Sequence, residues 1–295
     1  MPPFALLLAL ACLLAVPAHA EIVVQDDAGE TVRLAAPARR IVSLAPHVTE
    51  NLYAAGAGKQ LVAAVEYSDF PEAAKALPRV GGYSRLDLEA IVAVKPDLVV
   101  AWQSGNSAAA IAKLKGLGLT VYQSQPDRLE DIASGIEKMG RLAGTEASAT
   151  QAAARFRQRL AALQKTYGGR SRVATFYQVW PRPLLTVGGD QIIGDVIRLC
   201  GGDNMFAQLG TKTPAVSVEA VLAADPEALV ASGMGRGTPV GLEDWRAWPK
   251  LKAVARGNLF YIPSDLLQRP TPRMLDGAEA LCRHLDTARA KRAAQ

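Results

Sequence analysis

The sequence predicts an α/β protein of two Rossmann-like α/β lobes joined by one long α-helix, and three observations carry that reading. Residues 87–102 recur as residues 217–232 at a fixed offset of 130, with Glu, two Ala, Pro, Val and a final Ala in register. A supersecondary unit repeated at domain-sized spacing indicates two similar lobes, whereas a short period indicates a solenoid. Helices and short apolar strands alternate in both halves, the rhythm of parallel sheets flanked by helices. Midway lies 145–167, an Ala-rich run without strand patterning that ends at Gly168-Gly169. A helix of that length reaches ~30 Å at 1.5 Å per residue, enough to bridge two lobes. An ordinary surface helix is the competing reading, disfavoured by the run's place between the repeats.

The chain opens with an apolar run to Val16 followed by Pro17-Ala18-His19-Ala20. This reads as the core and small-x-small cleavage site of an export signal removed after Ala20. The run is shorter than the ~20 residues of a spanning helix. The expected organisation is a signal peptide over 1–20, an N-terminal α/β lobe over 21–144, a linking helix over 145–168 and a C-terminal α/β lobe over 169–295.

Residues 22–34 alternate about Asp26-Asp27-Ala28-Gly29-Glu30, the pattern of a hairpin. Residues 40–44 form a short buried strand leading through Ala45-Pro46-His47 into a helix over 49–55, closed by Gly56 and Gly58. A strand over 61–65 is followed by the polar, aromatic loop 66–71. The helix over 88–94 stops before Pro96, because the residue preceding a proline is pushed out of the α region. Residues 98–102 are a continuous apolar strand, the mark of a parallel sheet buried on both faces. A helix over 108–117, a strand over 120–122 and a helix over 129–142 complete the first half. The second half restarts: 172–177 repeats the strand at 40–44, 190–199 repeats the helix at 49–55, and 272–288 is a final amphipathic helix.

Half of the residues are apolar and the net charge of +5 is spread without a basic block, so nucleic-acid binding is not expected. Cys200 and Cys282 remain after export, 82 positions apart. An even pair in an oxidising compartment favours a disulfide, worth ~4–5 kcal/mol on the chain-entropy model; two buried free thiols remain the other reading. No metal site is expected, because His47 and His284 have no ligand-spaced neighbours. There is no Gly-x-Ser-x-Gly elbow, Walker loop or dinucleotide fingerprint. The carboxylate pairs Asp69/Glu72 and Asp87/Glu89 read equally as turn and helix-start residues. The chain is therefore expected not to be an enzyme; a cleft hydrolase or chelatase using Asp69 and Glu72 is the competitor from that class.

The aromatic residues are few and fall after strands or in loops. Ligands of open α/β sheets bind beyond the carboxyl ends of the strands. Tyr67, Tyr83 and Trp102 would line one wall of a cleft, and Trp180 with the loop Asp265 to Arg269 the other. Such a lining suits a large, flat, partly apolar ligand. Trp245 and Trp248, beside Pro249, read as core. Glu89 and Glu219 hold equivalent places at helix starts, where the helix dipole favours a carboxylate by ~0.3–1 kcal/mol. They read equally as two acidic knobs for a partner with two-fold symmetry and basic sockets.

Six segments spread along residues 21–295 carry a resemblance: Arg40 to Glu50, Tyr67-Ser68-Asp69-Phe70-Pro71, Leu88 to Asp97, Ala101-Trp102-Gln103-Ser104-Gly105-Asn106, Cys200 to Phe206, and Ser264-Asp265 with Arg269 and Pro272-Arg273. They resemble the substrate-binding proteins of ABC importers whose lobes are joined by one long helix (class III periplasmic binding proteins), most of all the corrinoid-binding members. The resemblance implies a periplasmic receptor that captures cobalamin or a related corrinoid, a ligand and not a cofactor, and delivers it to an importer. It implies that Tyr67, Tyr83 and Trp102 pack on the corrin from one lobe and that Asp265 and Arg269 meet it from the other. It further implies docking of Glu89 and Glu219 on permease arginines and pairing of Cys200 with Cys282. Haem or ferric-siderophore capture is the alternative within the same fold class. Two positions depart from the family pattern: Thr213 and Leu266 stand where aromatics are expected, with Trp180 placed to compensate. His47 lies near the expected cleft, within reach of the cobalt of a corrinoid lacking its lower base or acting as a loop cap. A monomer with small hinge motion is expected.

Overall fold

The computed structural model of the chain describes residues 21–233 and 241–293. The signal peptide expected over 1–20 lies outside the described residues. The fold opens with the hairpin β1 (Ile22–Gln25) and β2 (Thr31–Leu34). The Asp26 carboxylate holds its turn by accepting from the Ala28 and Glu30 amides at 3.0 and 2.8 Å.

The first lobe follows as β3 (Ile41–Ser43), α1 (Pro46–Ala54), β4 (Leu61–Ala64), α2 (Leu88–Ala93), β5 (Leu98–Trp102), α3 (Ala108–Gly116) and β6 (Val121–Ser124). The strands form one parallel sheet in the order β4-β3-β5-β6. The joining region is a helical hairpin, α4 (Leu129–Ala143) and α5 (Glu146–Tyr167). These helices approach closely at Gly140, where a Cβ would lie 2.2 Å from that of Ala149.

The second lobe contains β7 (Val173–Gln178), the small hairpin β8 (Trp180–Pro181) and β9 (Leu184–Leu185), α6 (Ile192–Leu199), β10 (Gly202–Asn204), α7 (Val218–Ala224) and β11 (Ala228–Ala231). It closes with α8 (Lys252–Ala255), β12 (Leu259–Tyr261), α9 (Ser264–Leu267) and α10 (Met274–Ala293). Its sheet is parallel in the order β10-β7-β11-β12, the order of the first sheet, and the two sheets remain separate.

The duplicated element is duplicated in structure. Asp87 caps α2 by accepting from the Ala90 amide at 3.0 Å, and Ser217 caps α7 by accepting from Ala220 at 3.1 Å. Lys95 and Asp225, each before a proline, leave the helix with φ of +44° and +47°. The acid after each proline pins the start of the neighbouring strand. Asp97 accepts from the amides of Arg39 and Arg40 at 2.9 and 3.0 Å, and Glu227 from Ala174 at 3.2 Å. The Pro-acid pair is thus structural in both lobes.

Two elements depart from expectation. Pro46 and His47, expected in a loop, belong to α1, which starts at Pro46 because the fixed φ of proline suits a first helical turn. The last helix begins at Met274 and runs on to Ala293. Its basic end is tied to the second lobe: Arg289 donates to the Cys200 carbonyl at 2.7 Å, Lys291 to that of Gly257 at 2.9 Å, and Arg292 pairs with Glu227 at 2.5 Å.

Each sheet has its own apolar cluster on one face, around Val42, Val99 and Ile111 in the first lobe and Phe176, Leu229 and Trp245 in the second. A third cluster runs without a break from Val48, Leu52 and Ile136 through Phe156 to Ile193, Val196 and Leu281. Both lobes therefore share a core on the side of α4, α5, α6 and α10. Polar contacts follow the same seam. Asp195 on α6 accepts from the Leu129 amide at 3.3 Å, Lys212 pairs with Asp127, and Arg159 on α5 pairs with Asp276 on α10 at 2.6 Å. The Cys200–Cys282 disulfide ties the end of α6 to α10. No described helix is long and apolar enough to cross a membrane.

Candidate functional site

The carboxyl end of β5 presents Trp102, and the residues after it fix the indole. The Trp102 amide donates to Asn106 Oδ1 at 2.6 Å, while Asn106 Nδ2 donates to the carbonyls of Leu44 and Tyr83 at 2.9 and 2.7 Å. One buried Asn thus gathers the end of β3, the end of β5 and the loop that carries Tyr83. Gly105 lies under the indole: a Cβ there would sit 1.8 Å from Trp102 Cε3. Tyr83 rests against Trp102 with ring centroids 5.7 Å apart and 40% of its surface exposed. Tyr67 is 67% exposed and sits in the left-handed region at φ +64°, a conformation that costs of order 1–3 kcal/mol and is held by its surroundings. Its neighbour Ser68 is buried and accepts from Thr49 at 3.0 Å.

Across the cleft, α9 and the turn after it carry Asp265, Arg269 and Arg273. Arg269 pairs with Asp265 at 3.3 Å, then reaches the first lobe, where it meets Asp69 at 2.6 Å, Glu50 at 3.1 Å and the Tyr67 carbonyl at 3.2 Å. Arg273 grips Glu50 with two bonds of 2.9 and 2.6 Å and lies 4.0 Å over the Phe70 ring. Asn51 adds a bond to the Pro270 carbonyl at 3.0 Å. The Glu50 side chain is 2% exposed and that of Arg269 14%. This is a mostly buried clasp between the lobes. Burial pushes the Asp69 carboxyl up, but the hydrogen bond and charge of Arg269, with help from Arg273, outweigh it and hold the group below its usual range.

His47, on α1, is buried edge-on to Trp102 with centroids 5.1 Å apart, and its Nε2 has no hydrogen-bond partner among the described residues. Burial, with the Arg269 charge second, lowers its pKa from 6.5 to about 3. A base with a depressed folded pKa contributes stability that is fully present above its unfolded pKa and lost as pH falls toward the folded one. The expected loss from this group on going from pH 6.5 to 5 is about 2 kcal/mol. Denaturant titrations of the parent and His47→Gln at both pH values test this. A variant as acid-sensitive as the parent would refute it.

The first-lobe aromatics expected in the cleft lie on adjoining loops, with Tyr83 and Trp102 in direct contact. Trp180 sits half-buried on β8, and its indole N–H donates to the Arg182 carbonyl at 3.1 Å. Leu266 packs on the core, and Thr213 is exposed. Trp245 is buried and donates to Gln178 at 2.7 Å, while Trp248 is half-buried against it. Glu89 and Glu219 are exposed in the first turns of α2 and α7. A crossover helix runs back along its strands, so its start lies at their carboxyl ends, on the cleft side. Hydrogen bonds from its own amide and from Ser217 lower the Glu219 pKa. Sequence reasoning missed the clasp residues Glu50 and Arg273. The available signal was the four-residue spacing of Arg269 and Arg273, together with an acid inside the apolar helix start at 48–52.

An aromatic floor, amide and carbonyl groups, and guanidinium and carboxylate groups on the far wall can hold a flat ligand with a polar edge. Among the described residues no group of three or more His, Cys, Asp or Glu side chains could hold a metal ion.

The sequence profile described as periplasmic binding protein matches residues 41–266. The chain belongs to that family. Among periplasmic binding proteins it is 39% identical over 257 residues to the vitamin B12-binding protein of Vibrio campbellii, covering 87% of this chain and 92% of the relative. It is 40% identical over 255 residues to the vitamin B12-binding protein of Vibrio cholerae, covering 85% and 91%. The crystal structure of the periplasmic vitamin B12 binding protein BtuF of Vibrio cholerae superposes with a TM-score of 0.80 at 40% identity, over 86% of this chain and 98% of that one. A periplasmic heme-binding protein, RhuT from Roseiflexus sp. RS-1, shares the fold at TM-score 0.73 and 23% identity, over 85% and 99%.

Proposed function

We propose that the protein is the corrinoid receptor of an ABC importer, binding cobalamin or a close relative between its lobes without catalysis. The observation that carries this is the pairing of the Tyr83–Trp102 aromatic floor with the Asp265–Arg269 pair across the cleft. A corrin ring is broad and flat, and its rim carries neutral amides that both donate and accept. Aromatic faces suit the ring, a carboxylate accepts from amide N–H, and a guanidinium donates to amide C=O. Haem presents two free carboxylates that need uncommitted cations. Here Arg269 and Arg273 are already neutralised by Glu50, Asp69 and Asp265, which favours the neutral-edged ligand. The relatives named as vitamin B12-binding proteins support the same class.

In this reading Tyr67, Tyr83, Trp102 and Trp180 contact the macrocycle, and Asp265 and Arg269 contact its rim. Glu89 and Glu219 dock on the permease, the leader is cleaved after Ala20 for export to the periplasm, and the receptor acts as a monomer. Calorimetry with cyanocobalamin, cobinamide and haem tests the ligand class. Binding of the corrinoids with no response to haem is expected, and binding of haem alone would overturn the proposal. Trp102→Ala should weaken corrinoid binding by ~1–3 kcal/mol, the scale of burying one large side chain.

A further inference from the structure

Among the described residues five large apolar side chains stand exposed: Tyr67, Phe70, Tyr83, Val92 and Leu117. The three aromatics belong to the cleft loops. Val92 does not; it lies on α2 one turn beyond Glu89 and is 41% exposed. Its counterpart in the repeat is Leu222, one turn beyond Glu219 on α7. Leu222 lines a groove of about 480 Å³ with Asp225, Trp248, Pro249, Lys250 and Leu251. Residues three apart on a helix share a face, so both lobes carry a carboxylate with an apolar spot beside it. Among the described residues neither Glu89 nor Glu219 forms an ion pair, whereas Asp225, which also lines the groove, is engaged by Lys252 at 3.0 Å. An exposed ion pair contributes little by itself. Interfaces draw their affinity from apolar centres ringed by polar contacts.

We infer that the docking face on each lobe is a two-part patch: Glu89 with Val92, and Glu219 with the groove at Leu222 and Trp248. The occupant is the importer's permease dimer, presenting at two related places a cationic side chain with an apolar one beside it. Charge complementarity to the two unpaired carboxylates and the matching repeat geometry argue for that partner. The inference rests on the docking role proposed for Glu89 and Glu219, and adds the apolar half of the contact.

The test uses the full receptor and the importer reconstituted in nanodiscs, with uptake of labelled cyanocobalamin into cells as a second readout. Val92→Ser combined with Leu222→Ser should leave cyanocobalamin affinity within about twofold and weaken receptor–importer association at least about tenfold. That loss should persist at high salt, whereas the loss in Glu89→Ala with Glu219→Ala should depend on salt. Because Leu222 is half-buried, Val92→Ser alone serves as the variant whose fold is secure, with an expected loss of about threefold or more. Unchanged association in the Ser variants with loss in the Ala variants overturns the apolar half alone. Unchanged association in all of them overturns the docking reading as well.

Discussion

Glu50→Ala is expected to destabilise the protein by about 3–5 kcal/mol, because it strands the Arg273 guanidinium and takes one of three carboxylates from Arg269, in a clasp largely withdrawn from water. Glu50 is the shared partner of Arg269 at 3.1 Å and of Arg273 at 2.6 Å. After the substitution Arg269 keeps Asp69 and Asp265, both partly exposed. Arg273 keeps its stacking on Phe70 and the nearby charge of Asp69. Removing the stranded cation should relieve part of the damage, so Glu50→Ala with Arg273→Ala should cost less than the sum of the single changes. Denaturant midpoints of the three variants read this directly. A single-variant loss below about 1 kcal/mol would show that water reaches the clasp and that it is an ordinary surface ion pair. The result also bears on motion: with a buried clasp on the cleft side and a continuous core on the helical side, wide separation of the lobes would have to break both.

Gly105→Ala is expected to impair corrinoid capture as severely as Trp102→Ala, by roughly tenfold or more. The added methyl would stand 1.8 Å from Cε3 and 2.3 Å from Cδ2 and Cζ3 of Trp102. Neither the indole, packed against His47 and Tyr83, nor the Asn106 bonds can absorb that overlap in place. Overpacking of this kind costs typically ~1–3 kcal/mol, most readily relieved here by moving the indole off the floor. Since both substitutions remove one feature, the double variant should bind no more weakly than Trp102→Ala alone. Additive losses in calorimetry would mean that Gly105 acts through something other than the indole. An unchanged affinity in Gly105→Ala would remove Trp102 from the proposed site.

Most of the architecture was legible because its causes are local. The apolar run at 98–102 reads as a strand buried on both faces, and in the structure it and its repeat at 228–231 are strands with buried interiors. The Pro96 and Pro226 stops and the glycine-closed helices are backbone chemistry and needed no partner to be read. The repeat itself foretold two similar lobes, and their sheets share a strand order because the same sequence of local choices is made twice. Helix ends were less legible: Pro46 starts α1 early, and α10 outruns its amphipathic pattern because Arg289, Lys291 and Arg292 find carbonyls and an acid on other elements.

The candidate site divided along the same line. That Trp102 lies at a strand end, and Tyr67 and Tyr83 in loops, was a matter of sequence position. That Asn106 ties two of their loops together, that Gly105 seats the indole and that His47 is kept neutral beneath it are contacts between segments far apart in the chain. The clasp is the extreme case. Glu50 and Arg273 are separated by more than two hundred residues, and their bonds cross from one lobe to the other.

What the amino-acid order determined alone was the alternation of helix and strand, the duplication and the long central helix, since propensity, periodicity and proline or glycine geometry act within a few residues. What tertiary structure alone decided was which charges face one another across the cleft. A carboxylate's cost of burial depends on which cations meet it, and that is settled only when the two lobes close on their shared core.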